Sequence, residues 1–510
     1  MGEAKRREQN EPSRLEEALG LETAGGRVQL RWDEQSAVTP FGQMPFFIEF
    51  LSLTGLLEDW IESCPLSYTS PNASDKCDVL GTWLLSILAG HKRYAHVTTI
   101  RSDGVNPKLL GMSKVINEDA LRRGLKSIDE EAGCAWLGTH LDKSARLLLN
   151  VPWVLDVDTT VKCLYGKQEA AIVGYNPKKP GRPSHTYHTY LMAGLRLVLG
   201  LDVLAGNKSH ANHTMPGLLR LIDELPLGSK PTLVRGDCGF GSDPVISELE
   251  KRGVSYLFKL RLSPNVKRYI DKNLWVNDWS DAGQGWEGRE GKLKLMGWST
   301  ERRVIMLRRP LRGDVVSVEE NTQLALAFSE TIVPAKRYEY AVLVSDLTFD
   351  VAAIAQLYRD RGDAENTFDE LKNQWGWGGF TTSDIARCRL SAKAVALVYN
   401  WWSLFVRLAN PKARMEAITS RPLLLSGIAR QTSHAGQHHI TVTAMHGYGL
   451  EAKAMLTRIS ALLKFWKNNA EQFNLKTVWQ YACEHIVTAV TGFSWVGPPL
   501  QLAPTPGMAV

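Results

Sequence analysis

Three stretches of the 510-residue sequence put carboxylates on elements that would have to desolvate them. The first, Val151–Val161 (VPWVLDVDTTV), is β-branched and apolar and reads as a buried strand. Alternation sends Asp156 and Asp158 to one face and Trp153, Leu155 and Val157 to the other. Two buried carboxylates are unfavourable unless paired, and a divalent cation is the commonest remedy. A salt bridge for one and a turn cap for the other would explain them too. The second stretch holds Asp237, between Leu233-Val234 and Cys238-Gly239-Phe240-Gly241. A carboxylate at the carboxyl end of a strand lies where open α/β sheets place their sites, although Asp beside Gly is also ordinary turn chemistry.

The third stretch is sharper. Val351–Asn373 reads as one strong helix, on which Tyr358, Arg361, Glu365 and Lys372 fall within an arc of about 60°. Leu357, Ala364, Phe368 and Leu371 form an adjacent apolar arc that can pack on a sheet. An ordinary i,i+4 surface pair, worth ~0.3 kcal/mol, explains Arg361 with Glu365 but not the tyrosine and lysine beside them. Hard divalent ions such as Mg²⁺ take oxygen ligands and keep positions open for phosphate. Two of them, about 4 Å apart, can activate a nucleophile and stabilise the leaving oxygen of an in-line displacement.

Cations needed to hold a phosphodiester follow each acidic motif. Lys162, Lys167, Lys178, Lys179 and Arg182 come after the first strand, with only Glu169 against them. Lys251, Arg252, Lys259, Arg261, Lys267 and Arg268 follow Asp237, and Arg302, Arg303, Arg308, Arg309 and Arg312 come later. Solvated faces are the plain alternative for any of these clusters. His185, His188, His210 and His213 invite a metal reading, but hard Mg²⁺ disfavours imidazole.

Elements that would position these groups are of mixed type. Residues 1–27 read as a polar tail or short solvated helix, and Phe46–Leu148 as mostly helical, with Asn117 capping a helix. Arg101, Lys108, Lys114, Arg122, Arg123, Lys126 and Arg146 make 28–150 a plausible DNA-binding domain; a helical bundle with a solvated face is the alternative. Strands are expected at Thr189–Val198, Leu201–Leu204, Thr232–Arg235 and Ser255–Leu260, with helices at Pro216–Glu224 and Pro244–Arg252. That alternation describes a mixed α/β sheet. Residues 263–344 break it with Trp275, Trp279, Trp286, Trp298 and the alternating runs Arg303–Leu307 and Gln323–Phe328, which read as a β-rich insertion. The strand Tyr338–Val344 resumes the pattern, and 409–510 is expected to be helical with a Pro-rich end.

The stripe Tyr358-x2-Arg361-x3-Glu365-x6-Lys372 resembles the Y-x2-R-x3-E-x6-K signature of DDE transposases from bacterial insertion sequences. DVDTTV, the tract from Gly166 to Lys179, and Arg235-Gly236-Asp237-Cys238-Gly239-Phe240 resemble that superfamily as well, in the same order. The resemblance covers about 151–408. It implies an RNase H-like core interrupted by a β-rich insertion, a helical N-terminal domain that binds terminal inverted repeats, and a helical C-terminal region used in synapsis. It further implies Asp158, Asp237 and Glu365 as the catalytic, metal-binding triad, Asp158 being preferred to Asp156 because Thr159-Thr160 follows it. Two Mg²⁺ ions, with Mn²⁺ as substitute, would be the cofactors. Tyr358, Arg361 and Lys372 would contact DNA, joined by Lys178, Lys179 and Arg182. Trp298 and Trp286 would be the candidates to stack on a flipped end base, with core packing as the alternative for either. The chain departs from its relatives at Cys238, where serine is more usual.

The expected activity is cut-and-paste DNA transposition, by strand cleavage and strand transfer. Its partners would be double-stranded DNA, as transposon ends and as target, and a second copy in a synaptic dimer. A catalytically silent DNA-binding derivative and a general RNase H-like nuclease are the competing readings. The net charge of +6, from 60 Lys+Arg against 54 Asp+Glu, is too small to decide among them. Hydrophobic residues at 44% exclude wholesale disorder. Seven cysteines without a C-x2-C pair indicate neither a zinc ribbon nor a disulfide framework. No apolar run approaches the ~18 residues that span a bilayer, so a bacterial cytoplasmic location, on the nucleoid when DNA-bound, is expected.

Overall fold

In the computed structural model, the described residues are 18–492 except 35, 69, 71, 177, 209–210, 312–337, 378, 381, 436 and 445–446. The apolar, β-branched Val154–Cys163 forms the central strand β1, and β2 (Pro183–Met192) and β3 (Leu197–Ala205) follow it as an antiparallel meander. Both β2 and β3 begin and end elsewhere than the periodicity predicts, because the chain turns at 193–196 rather than after Val198. Helix α1 (Ala211–Glu224) then carries the crossover to β4 (Leu233–Gly236), and α2 (Asp243–Lys251) the crossover to β5 (Tyr256–Lys259). Such parallel pairings require a crossover element of this kind. β4 lies parallel to β1, and β5 parallel to β4, so the spatial order is β3-β2-β1-β4-β5. That is the RNase H-like arrangement expected from the sequence.

Beyond β5 the sheet continues. Strands β6 (Ser280–Gly283), β7 (Trp286–Leu293), β8 (Arg302–Pro310) and β9 (Tyr338–Ser345) form an antiparallel run, and β9 pairs with β5. With the short Ile172–Val173 on β2, the sheet has ten strands among the described residues. The Trp-rich stretch is thus strand-rich and widens the sheet itself. Arg312 and the run Gln323–Phe328 lie outside the described residues.

Where one helix was expected, there are two: α3 (Val351–Arg359) and α4 (Gly362–Gln374). The joint is held by tight i→i+3 bonds, Arg361 N–H to Tyr358 O (3.2 Å) and Asp363 N–H to Asp360 O (3.2 Å). Gly362, the residue after Arg361, is a poor helix former. The 25-residue α5 (Ile385–Ala409) is apolar on most of its circumference and runs through the middle of the molecule.

Helices precede the sheet, among them Met44–Thr54, Lys76–Leu88 and Glu130–Ala145, and Asn117 caps Glu118–Lys126 by accepting from Ala120 N–H at 2.8 Å. After α5 come Gly449–Phe473 and Val478–Thr491. Two expectations fail at the ends of the chain. Leu19–Thr23 and Gly26–Leu30 form a hairpin instead of a tail or helix. Ala429–His434 and Gln437–Val442 pair as strands inside the stretch expected to be helical, with Ala37–Thr39 beside them. β-Branched Thr432, Ile440, Thr441 and Val442 favour that state. A smaller hydrophobic cluster, with Leu257, Ile305 and Leu343, lies between the sheet and Ile354 of α3, separate from the main core, which draws on residues from Met44 to Val487. At its centre Asn400 accepts from Val198 N–H (2.9 Å) and donates to Val198 O (2.8 Å) and Ser144 Oγ (3.4 Å).

Candidate active site

Asp156 and Asp158 both lie on β1, and the structure separates their roles. Asp156 is buried and accepts two bonds from Arg235 of β4, Nε to Oδ1 at 2.7 Å and Nη2 to Oδ2 at 2.8 Å. Arg235 also donates to Leu357 O, so one guanidinium fastens β4 to β1 and to α3. Burial pushes the Asp156 carboxyl upward, and Arg235 opposes the shift. Pairing was the alternative to a metal for one of these aspartates, and Asp156 has it.

Asp158 sits one step further along the strand. Parallel pairing sets Asp156 beside Arg235 and Val157 beside Gly236, so Asp158 and Asp237 come next at the carboxyl ends of neighbouring strands. Strand spacing in such a pair is ~4.8 Å. Gly236 permits the sharp turn: a Cβ there would meet the Phe240 ring at 2.8 Å. Asp237 is half-buried, and its Oδ1 accepts from Gly239 N–H at 2.9 Å. Cys238 is exposed in the turn.

Glu365 is delivered from above by α4. The guanidinium of Arg361, 8% exposed, stands between carboxylates, with Nη2 3.3 Å from Asp158 Oδ2 and Nη1 3.0 Å from Glu365 Oε1. Glu365 itself is 66% exposed. The Arg361 Nε has no hydrogen-bond partner among the described residues. Burial pushes the Asp158 carboxyl up to about 6; Arg361 opposes this, while the like charges of Asp237 and Glu365 add to it. Burial likewise lifts the Tyr358 phenol to about 12. The three carboxylates therefore share one electrostatic neighbourhood around Arg361. Among the described residues, no three His, Cys, Asp or Glu side chains close into a metal-holding group. An all-oxygen donor set fits a hard divalent ion, but Glu365 and Arg361 would have to shift to complete a shell.

Lys372, at the far end of α4, makes no hydrogen bond or ion pair among the described residues. Burial lowers its pKa, followed by the charge of Lys178, with Asp158 acting in the opposite sense. Lys178, Lys179 and Arg182 are exposed on the loop between β1 and β2. Lys179 and Arg182 lie 5.1 and 4.9 Å from the centroid of the exposed Tyr165 ring. Trp298 is not part of this assembly: it is buried in the core, with Arg302 5.2 Å from its ring centroid. Trp286 is half-buried, with Arg309 at 4.8 Å. The arginines near them are spoken for, Arg302 by Asp243 and Glu250, Arg303 by Glu290, Arg308 by Glu287 and Arg309 by Glu339.

Behind Asp158 lies a hydroxyl network that sequence reading missed. Thr159 N–H donates to Asp158 Oδ1 (2.8 Å), and Thr159 Oγ1 lies 3.2 Å from both His188 Nδ1 and Thr214 Oγ1. Burial lowers the His188 pKa to about 4, so the ring is neutral, and it is used among hydroxyls rather than on a metal. His185 bonds Glu169 O at 2.8 Å, and His210 is outside the described residues. β1 is paired with β2 such that Thr159 faces His188, a register that no local periodicity announces.

The family model described as "Transposase DDE domain" matches residues 150–401. No curated protein sequence matches the chain. Among solved structures, the chain is similar to a piggyBac transposase, seen by cryo-EM in a synaptic complex with hairpin DNA. That likeness is at 11% identity, over 93% of this chain and 90% of that one, with a TM-score of 0.38. Residues 150–401 are a transposase DDE domain, and the chain belongs to the DDE transposases.

Proposed function

We propose that the chain is a cut-and-paste transposase that binds the inverted repeats at the ends of its element and cleaves there in Mg²⁺. The observation that supports this reading is the meeting of Asp158 and Glu365 on the Arg361 guanidinium, with Asp237 beside Asp158 in the sheet. Three hard oxygen donors and one cation, at the end of parallel strands, are what divalent-metal phosphoryl transfer requires of a protein. Asp158, Asp237 and Glu365 would hold the ions, which supply an activated water and neutralise the developing charge.

The chain's own groups do the rest. Arg361, which pairs with Asp158 and Glu365 here, would be the cation left to meet a phosphate oxygen where ions take those carboxylates. Tyr358 keeps its proton at neutral pH and donates it in a hydrogen bond. Lys178, Lys179 and Arg182 lie along the DNA approach to Asp158. The 3′-hydroxyl freed by hydrolysis would then attack a phosphodiester of the opposite or target strand, displacing that strand's own 3′-hydroxyl, within a homodimer that holds two ends, in a bacterial cytoplasm.

The test is strand cleavage of duplexes carrying the inverted repeats that flank the reading frame, in Mg²⁺ and in Mn²⁺. Asp158→Asn, Asp237→Asn and Glu365→Gln should each abolish cleavage without loss of end binding. End binding by the wild type without cleavage in either metal would mark a silent derivative. Cleavage of arbitrary duplexes or RNA–DNA hybrids without strand joining would mark a general nuclease.

A further inference from the structure

β1 continues past Asp158, and its inward face bears Asp156, Asp158, Thr160 and Lys162 in turn. Lys162 is four residues on, roughly 13 Å along the strand. It is nine-tenths buried, a position lysine rarely takes without a carboxylate. None of its partners is an acid: Nζ donates to Gly379 O (2.7 Å) and Tyr187 Oη (3.2 Å). An ammonium has three protons, so one is left over among the described residues. The Tyr187 hydroxyl, which accepts from Lys162, has its own proton still to give.

These donors line a cavity of about 180 Å³ between β1 and the end of α4, walled by Thr160, Lys162, Tyr187, Lys372 and Trp377. Lys372 lies at its rim without a partner among the described residues, and Lys178 is near enough to lower the Lys372 pKa. The Asn373 amide that also lines the cavity is turned to Asp369 (2.7 Å). No carboxylate is among the lining residues. Two ammonium groups, a phenol and a threonine hydroxyl, each able to donate, around one void form a cationic, donor-rich pocket that suits a tetrahedral oxyanion.

The geometry points to this cavity as a seat for a phosphoryl group, with Lys162 as its floor and Lys372 as its rim, occupied by a backbone phosphate of the DNA strand whose scissile bond lies at Asp158. The assignment rests on the function proposed above and deepens it. It gives the strand a second fixed point along β1, so that the register of cleavage is set by a buried cation as well as by the carboxylates. Free inorganic phosphate shares the chemistry and is the other possible source.

Binding of the full chain to a labelled duplex, measured in EDTA across a salt series, tests the assignment without cleavage. Each phosphate contact contributes about 0.9 to the slope of log K against log salt. Lys162→Met and Lys372→Met should each lower that slope by about 0.9, and Lys162→Arg should retain it. A wild-type slope in Lys162→Met would overturn the assignment and leave Lys162 as a tie to Gly379. If Lys162→Met does not fold, Tyr187→Phe is read in its place: about fivefold weaker binding supports the seat, and unchanged binding overturns it. Inorganic phosphate, against chloride at equal ionic strength, should weaken duplex binding by the wild type but not by Lys162→Met. Phosphate that binds the chain without displacing duplex would overturn DNA as the occupant. A chain that binds no duplex at all, even one carrying the flanking inverted repeats, defeats the proposed function itself.

Discussion

Asp156 and Asp158 are two residues apart, on one face of one strand, and they have opposite fates. Asp156 meets a guanidinium that matches it atom for atom and is sealed in the sheet. Asp158 meets Arg361 obliquely at 3.3 Å, shares it with Glu365, and lies beside Asp237. The same contrast recurs among the cations. Arg302, Arg303, Arg308 and Arg309 each have an acidic partner on a neighbouring element, whereas Lys178 and Lys372 have none among the described residues. Completed pairs fix the fold, and incomplete ones are left for a ligand. Counting charges in the sequence cannot separate the two kinds; only partners can.

If this division is right, substitutions on its two sides fail differently. Asp158→Asn should reduce end cleavage by at least ~10³-fold while leaving a folded protein, as followed by gel cleavage assay and circular dichroism. Asp156→Asn should instead destabilise the protein by about 3–5 kcal/mol, because Arg235 is left as an uncompensated buried charge; urea denaturation reads this. Equal and small losses of stability in both would break the comparison.

A pH series sharpens it. The Asp158 carboxyl titrates near 6 in the folded chain, above its ordinary 3.8. A raised carboxyl disfavours the folded state once it is ionised, so its penalty is absent below about pH 4 and complete above about pH 6. In metal-free buffer Asp158→Asn should therefore be more stable than wild type at pH 7.5, by at most about 3 kcal/mol, and indistinguishable from it near pH 4. For the same reason wild-type Mg²⁺ binding, followed by calorimetry, should weaken as pH falls through 6. The smallest effect belongs to the exposed cations: Lys178→Met and Lys179→Met should leave the melting temperature alone and each lower the salt slope of DNA binding by about 0.9. Arg309→Met, in a surface ion pair, should not move that slope.

Much of this arrangement was legible before any coordinates. The alternation in DVDTTV put both aspartates on one face, and the spacing from Tyr358 to Lys372 picked out the residues of the third motif. Elements with strong local patterns, such as β4, β5 and α2, fall within a residue or so of their expected bounds. What could not be read was set by contacts distant in sequence. The helix break at Asp360–Arg361 accompanies a contact to Asp158, about 200 residues away in the chain. The Arg235–Asp156 clamp depends on parallel register. The hardness of Mg²⁺ argues against the histidines as ligands, but only the register of β2 shows what His188 does instead, among threonines. The strands 429–434 and 437–442 lack a long apolar period and depend on Ala37–Thr39 at their edge.

Asn400 carries a lesson about modularity. It lies in the last residues of the family-matched segment, yet its amide holds Val198 of β3 and Ser144 of the preceding helical stretch together. A boundary drawn by homology therefore cuts through a solvent-free junction, exposing α5 along the side where it packs on Glu130–Ala145. Anyone excising residues 150–401 as a minimal catalytic unit should expect an insoluble fragment, since the segment that names the protein does not enclose its own interior.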